Sequence, residues 1–167
     1  YHDFRPAVYS PRFMSVSDHR AFVTDRLIDS HAHAWTAPEE ITWESDGPSG
    51  AERIVYTVKN VREDMAALGA DRACLVATPI HGTGSPYTRA CLREHPEELY
   101  GVLWLDYFAD DVARRVDDAF ELDTVLGFRF SASGDDDWIA SDDLDPFWDA
   151  LEEQTAPQVQ LLLTPSV

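Results

Sequence analysis

The chain has 167 residues, of which 44% are hydrophobic and 11% aromatic; that is enough to bury a core as one domain or a piece of a larger one, and it excludes a disordered segment. Thirteen basic against 31 acidic residues give a formal charge of −18, a surface that repels nucleic acid and anionic membranes. No apolar run approaches a membrane span and no charged-then-apolar leader is visible, so composition predicts a cytoplasmic protein.

The acidic residues are scattered along the chain, and Lys59 is the single lysine. Self-repulsion of this size is screened when the Debye length falls to about 3 Å at 1 M salt, so the balance reads as a halophilic adaptation. Cys74 and Cys91 sit in unlike contexts and read as reduced structural thiols.

Residues 1–26 show no clear period and are broken by Pro6 and Pro11; they are expected to form an N-terminal extension, with residues 27–167 as the folded body. Arg26 to His33 reads as a first strand, followed by a polar loop from about Thr36 to Arg53. A helix is predicted from Thr57 to Leu68, with Val58, Val61, Met65 and Leu68 as its apolar stripe and Gly69 as its stop. Ala73 to Thr78 is a buried strand. Ser85 and Pro86 open a helix as N-cap and first-turn proline, and Pro96 closes it. Tyr100 to Leu105 is a third strand, Asp110 to Phe120 a helix with Val112, Val116 and Phe120 on one face, and Thr124 to Phe130 a fourth strand. Asp145 and Pro146 start a helix to about Glu153 with Phe147, Trp148 and Leu151 inward, and Val159 to Leu163 is a fifth strand.

Strands separated by helical crossovers imply a parallel sheet. A phosphate-binding doubly wound fold would carry a Gly-rich loop after the first strand; His33-Ala34-Trp35-Thr36 stands there instead. The fold class expected is α/β, a partial TIM (β/α)8 barrel of about five βα units, since a complete one takes about 250 residues. Open first and fifth strands would then be edges that a homo-oligomer could cover.

Chemistry concentrates in Ile28-Asp29-Ser30-His31-Ala32-His33. Residues two apart on a strand share a face, so Asp29, His31 and His33 are expected to point together. Two imidazoles one pleat apart can grip one divalent ion, with Asp29 orienting a ring from behind. Arg129 ends a buried strand, where its guanidinium suits a substrate carboxylate or a structural ion pair. His81 lies in a loop at the carboxyl end of the second strand, at the mouth of such a barrel or simply exposed. Trp35 walls the pocket or packs in the core. Asp135-Asp136-Asp137 and Asp142-Asp143 lack the spacing of a calcium loop and read as solvated. No nucleophile elbow, phosphate loop or Cys-His pair is present.

Four segments in order resemble the amidohydrolase superfamily, in particular its amidohydrolase-related branch of sugar lactonases, dicarboxylate lactone hydrolases and metal-dependent decarboxylases. They are Ile28 to Trp35, Val61 to Ala73, His95 to Val102, and Gly127-Phe128-Arg129. The resemblance covers Leu27 to Pro165 and implies a metal-dependent hydrolase acting on a small molecule, a lactone or related cyclic ester or amide. It implies that His31 and His33 ligate zinc or manganese, with zinc the expected ion. A decarboxylase on the same scaffold, or a catalytically silent partial barrel that self-associates, are the alternatives. The family's later residues are a histidine on strand five or six and an aspartate at strand eight. The predicted fifth strand carries no histidine, and no residue of this chain is assigned the role of general base.

Overall fold

The structure is a computed structural model and describes residues 26–36, 55–79, 82–133 and 137–164. The elements in chain order are β1 (Ile28–Ala32), α1 (Val58–Leu68), β2 (Arg72–Val76), α2 (Pro86–Glu94), β3 (Leu99–Leu103), α3 (Val112–Phe120), β4 (Val125–Ser133), α4 (Asp145–Glu152) and β5 (Gln158–Thr164). Two 3-10 turns, Asp137–Ala140 and Asp142–Leu144, precede α4 and were not foreseen from periodicity. The five strands pair in sequence order and every pairing is parallel. They form a curled half-barrel, the partial TIM barrel expected. The expected extension lies almost wholly outside the described residues, as do most of the loop from Thr36 to Arg53 and the acid run at Asp135 and Asp136. Among the described residues no helix is long and apolar enough to cross a membrane.

Local chemistry sets the element ends. The backbone N–H of Thr57 donates to the Asn60 side chain at 2.9 Å, closing a capping box at the start of α1. Gly69 ends the helix in the left-handed region at φ 70°, where a side chain would be strained. α1 is tied to the turn before β3 by Arg62, which forks onto both oxygens of Glu98. Ser85 behaves differently from the expected N-cap. Its hydroxyl makes no cap bond; it donates to the Trp104 carbonyl at 3.0 Å and accepts from the Trp104 N–H at 2.7 Å.

The sheet separates two apolar clusters. On the helix side, Ala73, Leu75, Leu99, Leu103, Val125, Phe128 and Phe130 pack against the helices through Met65, Leu92, Val116 and Phe147. Phe128, Phe130 and Phe147 are fully buried, each worth about 1.5–3 kcal/mol of transfer free energy. On the other face Cys74, Val76 and Val102 form a smaller cluster with Tyr100 and Leu126. The helix stripes shift slightly from expectation. Leu68 is half exposed, while Ala119 and Ala150 are buried, because small residues let the helices approach the sheet closely.

Two irregularities set which face each site residue takes. Along β3 and β4, Gly101 pairs with Val125 but Val102 pairs with Gly127, so one extra residue is inserted in β4. Leu126 joins the inner cluster, yet Phe128 and Phe130 still reach the helices. The bulge therefore resets the alternation and sends Arg129 inward, between the two phenylalanines. Only glycine fits at its corner, since a Cβ on Gly127 would lie 1.8 Å from the Gln158 carbonyl oxygen. A second register shift lies in β1 between Asp29 and Ala32.

Candidate active site

The second bulge decides the histidine motif. Asp29 is in register with Ala73 and Ala32 with Leu75, and both β2 partners belong to the helix-side cluster. Parallel partners in register project to the same side, so Asp29 falls on the helix-side register and not on the face of His31 and His33. The expectation that all three point together fails for Asp29, because one inserted residue flips the pleat. Its carboxylate accepts a hydrogen bond from the backbone N–H of His31 at 3.1 Å.

His31 and His33 do converge. Their Nε2 atoms are 3.2 Å apart, with ring planes at 90° and centroids 4.8 Å apart. The Nδ1 of His33 donates to the Val76 carbonyl at 2.7 Å. That bond fixes the tautomer and leaves Nε2 of His33 as an acceptor facing His31. Without an ion, the short contact is an N–H···N bond donated by His31. Two imidazole nitrogens each about 2.0–2.1 Å from a tetrahedral ion stand about 3.3 Å apart, so the pair fits a shared divalent cation. Burial, above all, pushes the His33 pKa below its ordinary value, and His31 and Arg129 add to this against the Val76 bond. The ring is thus held neutral, the form that ligates. Among the described residues there is no group of three or more His, Cys, Asp and Glu able to hold a metal.

His31 and Arg129 line one open hollow of about 280 Å³, closed on its far side by Gln160, Leu161 and Leu162 of β5. The Arg129 guanidinium has no ion pair or hydrogen-bond partner among the described residues, although the chain carries −18 overall. Burial pulls its pKa down, yet guanidinium stays charged at any working pH. A half-buried cation without a counter-charge is costly, and an incoming carboxylate relieves that cost. The structural ion pair considered for Arg129 is absent among the described residues.

Trp35 and His81 are the remaining sequence candidates. Trp35 packs on Tyr56 with ring centroids 6.1 Å apart, and its backbone N–H donates to the Tyr56 carbonyl at 2.9 Å; it is not among the residues lining the hollow. His81 lies outside the described residues. Sequence reasoning missed Gln160, whose signal was a lone polar residue inside an apolar strand. It also missed Tyr107, whose phenol donates to the backbone carbonyl of Arg129.

No family model and no curated protein matches the sequence. Solved structures do match. A probable 2-pyrone-4,6-dicarboxylic acid hydrolase from Acinetobacter baumannii, solved with citric acid bound, is 16% identical with a TM-score of 0.62, over 81% of this chain and 49% of that one. A Pseudomonas putida protein given the same provisional name is 20% identical with a TM-score of 0.66, over 84% of this chain and 50% of that one. An amidohydrolase from Burkholderia multivorans with bound zinc is 20% identical with a TM-score of 0.53, over 71% of this chain and 43% of that one. The chain spans about half the length of these structures or less. At such identities the likeness is one of fold alone, and by fold the chain is a partial TIM barrel.

Proposed function

We propose that this chain forms the metal-binding and carboxylate-binding part of a hydrolase that opens a carboxylated lactone or a related cyclic ester or amide. The observation that carries the reading is that His31, whose Nε2 meets that of His33, shares one hollow with a guanidinium that has no ion pair among the described residues. His31 and His33 would hold a divalent ion through Nε2, with zinc the expected one, in keeping with the zinc bound to the Burkholderia amidohydrolase. Such an ion supplies Lewis acidity to the scissile carbonyl and lowers the pKa of a water. The Val76 carbonyl keeps His33 in the ligating tautomer. Arg129 would fix the substrate's carboxylate by a two-pronged hydrogen bond, turning the ring so that its ester carbonyl faces the histidines. Gln160 offers an amide at the same wall. His81 remains a proposed contact at the mouth and Trp35 a supporting wall behind β1.

The test is a ring-opening assay with zinc, in concentrated KCl, on paired lactones or pyrones with and without a ring carboxylate. The reading expects the carboxylated member to be hydrolysed in preference, and Arg129→Ala to raise its KM by about 10- to 100-fold, the weight of one charge-assisted hydrogen bond. Release of CO2 in place of a ring-opened acid would replace the reading with decarboxylation. Equal turnover of both members, unchanged in Arg129→Ala, would refute the carboxylate assignment.

A further inference from the structure

The register between β3 and β4 ends at Leu103 and Phe128, one residue short of Arg129. β4 runs on to Ser133 without β3 beside it. A side chain from the turn after β3 reaches Arg129 here. Tyr107 is 5% exposed, and its phenol donates to the Arg129 carbonyl. Its ring stacks on Phe130 at 4.2 Å and 24°, and meets Phe147 edge-on at 5.3 Å and Trp104 at 6.0 Å. Burial pushes the phenol well above its ordinary pKa, so it remains an O–H donor. The three contacts bracket one residue. Gly127 fixes the bulge on one side of Arg129, Phe130 is locked in the core on the other, and the phenol holds the carbonyl between them.

We propose that Tyr107 is a positioning residue for Arg129, taking over where β3 stops and setting the direction in which the guanidinium enters the hollow. This rests on the reading of the hollow as a carboxylate site. β5 holds β4 on one side, with Arg129 opposite Gln160; the phenol anchors the side that β3 leaves, and a swing of an ångström at the backbone displaces a long side chain from a two-pronged contact. Tyr107 touches no substrate; it acts through Arg129.

The experiment is a double-mutant cycle on the full chain, with citrate as the probe in metal-free buffer at fixed KCl, read by titration calorimetry, with melting curves on the same samples. Tyr107→Phe removes the hydroxyl and keeps the ring. The proposal expects it to weaken citrate binding about fivefold, the weight of one hydrogen bond, and to have no further effect in the Arg129→Ala background. A lowered melting point with unchanged citrate affinity would make Tyr107 merely structural and overturn the proposal, as would additive effects of the two changes. Should Arg129→Ala itself leave citrate binding untouched, the carboxylate reading falls and this proposal with it. If Tyr107→Phe does not fold, Tyr107→His, which keeps a ring donor, takes its place. It is expected to bind citrate within about twofold of the native chain, and a loss as large as that of Arg129→Ala would contradict the proposal.

Discussion

Single side chains on the inner face report how well that face is closed. Cys74 is 5% exposed there, and burial, helped by the charge of Asp29, raises its thiol to about 11. Burial also raises Cys91. The sign follows directly. A raised thiol pKa favours the neutral form in the fold, so its contribution to stability is whole below the ordinary value of 9.0 and is lost as pH climbs through about 11. At pH 8 neither cysteine should react with a disulfide reagent in the native chain, and both should react in denaturant. Fast labelling of Cys74 in the native chain would mean that the inner face opens. The same scale shows what could be read from the sequence. His31 and His33 were legible because two imidazoles separated by one residue have few other uses. The displacement of Asp29 was not, since a bulge is a backbone event that leaves no mark on residue type. Tyr107 was illegible for another reason: its partner lies 22 residues away in a different element.

At the scale of elements, the boundaries were largely written in the chain. Helix stops at Gly69, proline at the start of α2 and α4, and continuous apolar runs for β2 to β5 all follow from local rules. Joints between elements were not, because they depend on contacts across the sheet. Gly127 is one such joint. Gly127→Ala must push the Gln158 carbonyl away and is expected to cost about 3 kcal/mol or more, read as the urea midpoint; a loss under about 1 kcal/mol would show that β5 yields easily. Ser85 is another. It is buried with φ 53°, a conformation that favours glycine. Ser85→Ala should cost about 1–3 kcal/mol by stripping both bonds to Trp104. Ser85→Gly loses the same bonds but relieves the backbone, and should melt above Ser85→Ala. The reverse order would place the strain elsewhere.

The whole molecule is governed by its charge and by its two sheet ends. With −18 on 167 residues, dilute buffer leaves the repulsion unscreened. The melting temperature should climb as KCl rises from 0.1 to about 2 M, most of it by 1 M where the Debye length is about 3 Å. A flat or falling curve would end the halophilic reading. β1 and β5 each pair on one side within the described sheet, and both expose apolar side chains, Ile28 on one and Val159, Leu161 and Leu162 on the other. These are the edges that the homo-oligomer expected from the sequence would cover. They also bound the hollow, since β5 supplies its far wall.

The central claim is that His31 and His33 form a chelating pair. Metal content per chain, measured after zinc loading and extensive dialysis in concentrated KCl, tests it most directly in the native chain and in the double variant His31→Ala/His33→Ala. The account predicts about one ion per native chain and none above background in the variant, with both proteins folded by melting curve. Equal metal in the two proteins, or none in the folded native chain, would contradict it.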